Sequence, residues 1–250
     1  MKDTMQAGCV FERREKKYLL DTRQYCAFLN AAGAYLEEDA YGRYTICNVY
    51  YDTQDDALIR RSIEKPIYKE KLRLRSYGVP GADERVYLEL KKKYRGVVYK
   101  RRAPMTLAEA ERYLKTGLLT VPKTQIMREI DYFYRFYQPR AKLYLAYDRL
   151  AFHGVQEQAL RITFDDNIRS RTDALTLGAG DHGQPLLKAG FCLMEVKTAG
   201  AMPLWLARLL SELSAFPISF SKYGCIYRRA VARVHDAASV SAAAAFDYSA

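Results

Sequence analysis

The sequence holds little that a membrane-spanning, disulfide-built or metal-finger protein would need. No apolar run approaches the ~18 residues of a membrane span, and Met1 to Val10 lacks the charged-then-apolar layout of a signal peptide. The cysteines Cys9, Cys26, Cys47, Cys192 and Cys225 are odd in number, form no C-x-x-C motif and stand beside no histidine. That argues against a disulfide framework or zinc knuckle and predicts reduced, mostly structural thiols. The histidines, His153, His182 and His235, are scattered, which suits surface or loop roles better than catalysis. The lone tryptophan, Trp205, lies in a Leu-rich helical stretch and is expected in the core. Internal repeats and Pro/Gly/Ser-rich linkers are also missing, so residues 1–236 read as one cytoplasmic domain with no membrane segment. An Ala- and Ser-rich tail over 237–250 follows it.

Acidic residues are the other shortage. Against 40 Lys and Arg stand 29 Asp and Glu, a net charge of +11 over 250 residues. Between Arg60 and Arg102 there are 15 basic and 5 acidic residues, so that stretch alone accounts for +10. A densely anionic partner is implied: nucleic acid, an anionic surface or a polyphosphate-like molecule.

The hydrophobic pattern predicts strands over Phe11–Leu20, Thr45–Tyr51, Tyr68–Tyr77, Arg85–Tyr94, Val97–Ala103, Leu143–Phe152, Leu160–Arg169 and Phe191–Thr198. Arg95-Gly96 makes a tight hairpin turn. Asp21 with Gln24, and Thr106 with Glu109, have capping-box spacing and open helices that end near Gly33 and Gly117. Further helices are expected over Asp52–Ile63, Gln125–Tyr137, Pro203–Ala215 and Lys222–Val234. The class is α+β with a large antiparallel sheet or barrel.

Residues two apart on a strand share a face. That rule groups Arg13, Glu15 and Lys17; Lys69, Lys71, Arg73 and Arg75; and Glu89, Lys91 and Lys93. It also groups Lys100 with Arg102, Tyr147 with Arg149, Arg161 with Thr163 and Asp165, and Glu195 with Lys197. An ordinary solvated sheet mixes Thr, Ser, Gln, Lys and Glu on its polar face. Here nearly every strand brings Arg or Lys, and like charges on neighbouring strands repel. Such faces are tolerable where an anion fills them, and the few carboxylates are suited to a divalent cation bridging that anion.

These same residues carry a resemblance. Arg13-Arg14-Glu15-Lys16-Lys17-Tyr18 resembles the R-x-E-x-K-Y opening strand of bacterial VTC-type (vacuolar transporter chaperone) domains of the CYTH-like triphosphate tunnel metalloenzyme superfamily. The match continues through Tyr50-Tyr51-Asp52-Thr53, Lys71-Leu72-Arg73-Leu74-Arg75-Ser76-Tyr77 and Glu89-Leu90-Lys91. It then runs through Tyr147-Asp148-Arg149-Leu150-Ala151-Phe152, Leu160-Arg161-Ile162-Thr163-Phe164-Asp165, Met194-Glu195-Val196-Lys197 and Ser221-Lys222-Tyr223. The ordered set spans about Phe11 to Arg233 and is far more specific than any one motif.

The resemblance implies an eight-stranded antiparallel β-barrel, a triphosphate tunnel, with helices packed outside. It also implies a polyphosphate polymerase that transfers the terminal phosphate of ATP to a growing chain with Mn²⁺ or Mg²⁺. Phosphate contacts and catalysis would then fall to Lys17, Arg73, Arg75, Lys91 and Arg149, with Lys100, Arg161, Lys197, Ser221 and Lys222 as further phosphate ligands. Glu195, with Glu15, would hold the metal. Either Arg60 or Arg61 would add a contact. Two positions depart from relatives: Arg13 replaces the first Glu of the hydrolytic branch, favouring the polymerase, and Ser219 stands where some VTC domains carry Lys. The implied partners are ATP and inorganic polyphosphate rather than nucleic acid. The alternatives are a triphosphatase or polyphosphate-binding protein of the same fold, and an RNA-binding module that stacks bases on Tyr87, Tyr94 and Tyr99.

Overall fold

The computed structural model describes residues 14–95, 97–119, 122 and 124–245, with side chains as far as Arg233. In chain order its elements are β1 (Arg14–Asp21), α1 (Thr22–Ala32), β2 (Leu36–Glu38), β3 (Tyr44–Asp52), α2 (Ala57–Ile63) and β4 (Tyr68–Tyr77). Then come β5 (Arg85–Tyr94), β6 (Val97–Thr106), α3 (Leu107–Thr116), α4 (Gln125–Tyr137), β7 (Arg140–Gly154) and β8 (Arg161–Arg171). Last are β9 (Gln184–Pro185), β10 (Phe191–Thr198), α5 (Leu204–Glu212), β11 (Pro217–Ile218) and α6 (Lys222–Ala245). Arg13, Phe11, Gly96 and Cys9 lie outside the described residues. Among the described residues no helix is long and apolar enough to cross a membrane, and Cys26, Cys47, Cys192 and Cys225 are free thiols.

Local chemistry explains most boundaries. Asp21 accepts from the Gln24 amide at 2.7 Å while Gln24 caps the Asp21 amide in return, so α1 starts where the capping box is read. Thr106 and Glu109 do the same for α3, which ends at Gly117 with φ +72°, the left-handed cap that glycine adopts without strain. The helix expected from Asp52 begins only at Ala57. The reason is that Asp52 ends β3 and its carboxylate reaches forward to accept from the Leu58 and Ile59 amides, both at 2.9 Å. Strand β6 runs past Ala103 through Pro104, which an edge strand tolerates because no neighbour needs the missing N–H. Helix α6 continues to Ala245, into the stretch expected to be tail.

The hydrogen-bonded strand order is β11-β1-β10-β8-β7-β3-β4-β5-β6, with β2 on β7 and β9 on β8. Among the described residues the sheet has eleven strands, and its path ends at β11 and β6 without closing into the expected eight-stranded barrel. Both end strands resist further pairing: β11 is two residues long and begins with Pro217, and β6 carries Lys100, Arg101, Arg102 and Pro104. The α+β class and antiparallel pairing agree with expectation.

By packing, the chain divides into two compact units. The first holds residues 14–43, 149–166 and 190–218; the second holds 44–148, 167–189 and the chain from Ser219 onward. In the first, Tyr18 and Leu20 of β1, Ile162 and Phe164 of β8, and Met194 and Val196 of β10 bury one sheet face against Phe28 of α1 and Leu206 and Leu210 of α5. Trp205 sits at the margin of this core, stacked on Tyr35 with ring centroids 4.4 Å apart. In the second, Leu72 and Leu74 of β4 and Leu88 and Leu90 of β5 bury the equivalent face against Tyr113 of α3 and Ile130 and Phe133 of α4. Each such side chain contributes about 1.5–3 kcal/mol by leaving water. Burying these alternate residues turns the intervening ones to the opposite face.

Candidate functional site

In the second unit the strand register assembles a cationic ladder. Arg73, Glu89 and Arg102 are cross-strand neighbours on β4, β5 and β6, and so are Lys71, Lys91 and Lys100 one rung along. On β3, Tyr50 and Asn48 stand opposite Arg73 and Arg75. Glu89 is the hub. It is only 1% exposed, and one of its oxygens accepts from Arg73 Nε at 2.8 Å. The other accepts from Arg102 Nε at 2.7 Å and Lys100 Nζ at 2.8 Å, while Arg75 stands 3.8 Å away. Burial pushes this carboxyl towards neutrality, but Arg73, Arg75 and Lys100 outweigh it and hold it well below the usual carboxylate range.

The surrounding groups are tuned by the same charges. Arg75 donates to Asn48 Oδ1 at 2.9 Å and to the Tyr147 hydroxyl at 3.2 Å, and Arg73 donates to the Tyr50 hydroxyl at 3.2 Å. Burial pushes the Tyr50 phenol up, yet Arg73 and Arg75 bring it down to about 8. Lys100 is also lowered to about 8, first by burial and then by Arg75 and Arg102, against the pull of Glu89. At the start of α6, Ser221 Oγ accepts from the Gly224 amide at 3.2 Å and from Lys71 Nζ at 3.3 Å. The Lys222 ammonium lies 4.4 Å over the Tyr147 ring. Through Tyr147 and Lys71, Ser221 and Lys222 join the expected set Arg73, Arg75, Lys91 and Lys100.

The first unit carries a different arrangement. Glu15, Lys17, Glu195 and Lys197 form a checkerboard, with Glu15 opposite Lys197 and Lys17 opposite Glu195 across β1 and β10. Lys197 Nζ lies 2.6 Å from Glu195 and Lys17 Nζ 3.3 Å from Glu15. Burial works against ionising Glu195, but Lys197 and Lys17 prevail and keep it charged below the usual range. Beside them Asp165, fully buried, accepts both arms of Arg149 at 2.6 and 2.8 Å. Arg161 turns to Asp39 at 2.8 Å.

Among the described residues no group of three or more His, Cys, Asp or Glu side chains converges as a metal site. Glu15 and Glu195 are diagonal neighbours on the paired strands β1 and β10 and share a face. Two carboxylate donors suit Mg²⁺ or Mn²⁺, which characteristically take one or two carboxylates and complete their shell with phosphate oxygens and water. The donor chemistry therefore fits a divalent cation that arrives with a phosphate ligand.

Neither Arg60 nor Arg61 is drawn into the Glu89 cluster by the contacts each makes: Arg60 pairs with Asp55 at 2.5 Å, and Arg61 hydrogen-bonds Tyr137 on α4. Sequence reasoning missed the organising role of Glu89 and Asp165, and with it Arg102, Tyr50 and Asn48. A signal for Glu89 was present. The turn read from the sequence at Arg95-Gly96 implies Tyr94 opposite Val97 and, counting back, Glu89 opposite Arg102, the pairing that β5 and β6 have.

Comparison with known proteins supplies the class. The VTC domain family model matches residues 12–231, and the chain belongs to that family. Its fold is similar to that of a candidate adenylate cyclase from Bacillus halodurans, at 14% identity and TM-score 0.50 over 84% of this chain and 95% of the other. It is equally similar to a candidate adenylyl cyclase from Hippeastrum described as having a dominant triphosphatase activity, at 16% identity and TM-score 0.50 over 86% and 95%. No curated protein matches the sequence.

Proposed function

We propose that this VTC-family protein is a metal-dependent polyphosphate polymerase, acting in the cytoplasm on ATP and inorganic polyphosphate. The observation that carries the reading is the cation excess on β4–β6. Lys71, Arg73, Arg75, Lys91, Lys100 and Arg102 share a face whose central carboxylate is Glu89. Phosphoryl transfer asks for positioning and charge neutralisation rather than a covalent nucleophile.

Arg73 and Arg75 offer planar forks that match phosphate oxygens, and Lys91, Lys100 and Lys222 act as movable point charges. Ser221 donates a hydroxyl to the same ligand. In the first unit Lys17, Arg149, Arg161 and Lys197 hold phosphates in the same manner. Mn²⁺ or Mg²⁺ held by Glu195 and Glu15 would neutralise charge on the transferring phosphoryl group. The terminal phosphorus of ATP gains a bond to an anionic oxygen of the acceptor chain and loses its bond to the β-phosphate oxygen, releasing ADP. No base is required, because the attacking oxygen carries no proton.

The test is product analysis. Purified protein with ATP and Mn²⁺ makes chains resolvable on a urea gel, and short polyphosphate primer shortens any lag. If ATP is consumed with primer present and only phosphate and pyrophosphate appear, the enzyme is a triphosphatase. The activity described for the structurally similar Hippeastrum protein makes that the second reading. An RNA-binding platform has less support: Tyr94 and Tyr99 are exposed, as base stacking requires, but the family match is to a VTC domain.

A further inference from the structure

On the polar face of the first unit, nearly every charged group has a partner in hand: Glu195 with Lys197, Glu15 with Lys17, Arg149 with Asp165, Arg161 with Asp39. One polar atom in their midst has none. The Thr163 hydroxyl is buried without a hydrogen-bond partner, on a residue 2% exposed. Its position is central. Thr163 is the direct cross-strand neighbour of Glu195 and lies between Arg161 and Asp165 on their shared face of β8. A buried hydroxyl without a partner is destabilising, and valine fits the same backbone and volume without that cost.

We propose that Thr163 is a phosphate-binding residue of the first unit, its hydroxyl donating to a phosphate oxygen held by Lys17, Lys197 and Arg149. This rests on the phosphate-binding reading above and adds a neutral, directional donor to a set of cations. Lys17 and Lys197 are about a quarter exposed, at 25% and 28%, and each holds its carboxylate through a flexible stem. An incoming triphosphate competes for those ammonium groups, and as they turn to it the hydroxyl beneath gains an acceptor. The ammonium groups supply charge from many directions. The hydroxyl rewards a single oxygen position, which fixes the register of the phosphate chain on the strand.

The test uses inorganic tripolyphosphate as probe, with binding measured by calorimetry and melting temperature measured with and without it. In Thr163→Val the ligand-free protein melts at the same or a higher temperature than wild type, while tripolyphosphate binds about tenfold more weakly. Thr163→Ser, which keeps the hydroxyl, binds within about threefold of wild type. If wild type binds and Thr163→Val binds equally well, Thr163 is a packing residue and the proposal is overturned. A ligand-free Thr163→Val that melts well below wild type overturns it too, since the hydroxyl then has a partner in the free protein. Should Val fail to fold, Thr163→Ala gives the same affinity comparison. Wild type that binds no tripolyphosphate sinks the phosphate-binding reading itself, a result distinct from the others.

Discussion

Each unit presents a sheet face that is apolar on the helix side and charged on the other, but the two manage their charges differently. In the second unit Arg73, Arg102 and Lys100 converge on Glu89, with Arg75 close by, and the carboxylate is out of water. In the first, Lys17 and Lys197 meet Glu15 and Glu195 pairwise, and Glu195 is buried as well. A convergent hub locks several long side chains into one geometry, because each partner is held by the same buried acid. A checkerboard of pairs opens one pair at a time. We read the hub as preorganising guanidinium forks for phosphate, and the checkerboard as the place where carboxylates exchange a lysine for a metal.

The largest expected effect tests the hub. Removing one partner of a buried ion cluster leaves uncompensated charge, at a cost of about 3–5 kcal/mol. Glu89→Gln is therefore expected to lower stability by about that amount in urea unfolding at pH 7. Glu195→Gln, which leaves one close lysine rather than three cations uncompensated, is expected to cost about half as much. Equal losses would erase the difference between the units. The pH dependence has a definite sign. The folded carboxyl of Glu89 sits below its unfolded value, so its contribution is present above about pH 4.3 and fades as pH falls through the depressed folded value. The gap between wild type and Glu89→Gln should narrow on acidification.

The second effect inverts the ranking. Glu195→Gln is expected to reduce Mn²⁺-dependent turnover of ATP by at least about 100-fold while leaving the circular dichroism spectrum unchanged, because the amide is nearly isosteric but lacks the charge a hard cation needs. Turnover at the wild-type rate with unchanged metal dependence would remove Glu195 from the metal site.

Much of this comparison is legible in the sequence because strands write their faces in a period of two. Arg73, Arg75, Lys91 and Lys100 opposite Leu72, Leu74, Leu88 and Leu90 is a pattern of alternation, and the structure keeps it. Capping chemistry is equally local, which is why Asp21 and Thr106 mark helix starts. Gly33 follows α1 as expected but at φ −57°, so proximity rather than left-handed geometry marks that end. What escapes the sequence is non-local or too short. Strands β2, β9 and β11 span three, two and two residues, below any periodicity. Whether a sheet closes depends on what its end strands meet, and no alternation pattern encodes that. Asp165 as the partner of Arg149 depends on the pairing of β7 with β8, whose loop is too long to fix the register by counting.

The smallest effect is a titration belonging to the second unit. Lys100 is lowered to about 8 because burial and the neighbouring Arg75 and Arg102 disfavour a further positive charge. Tyr50 reaches about 8 from the other side, its phenolate favoured by Arg73 and Arg75. Both changes remove positive charge from the same face as pH rises: Lys100 loses its cation and Tyr50 gains an anion. Bound phosphate favours the protonated form of each, so tripolyphosphate binding takes up protons near pH 8 and weakens above it. The expected change is about three- to tenfold in Kd between pH 7 and 9, the magnitude of less than one charge–charge contact in a partly solvated site. Lys100→Arg keeps the charge throughout and should remove about half of the slope; Tyr50→Phe should remove most of the remainder. Calorimetry in buffers of different ionisation enthalpy measures the proton uptake directly. A slope that survives in the Lys100→Arg/Tyr50→Phe double variant would place the titrating group elsewhere and leave the hub no part in the pH dependence of binding.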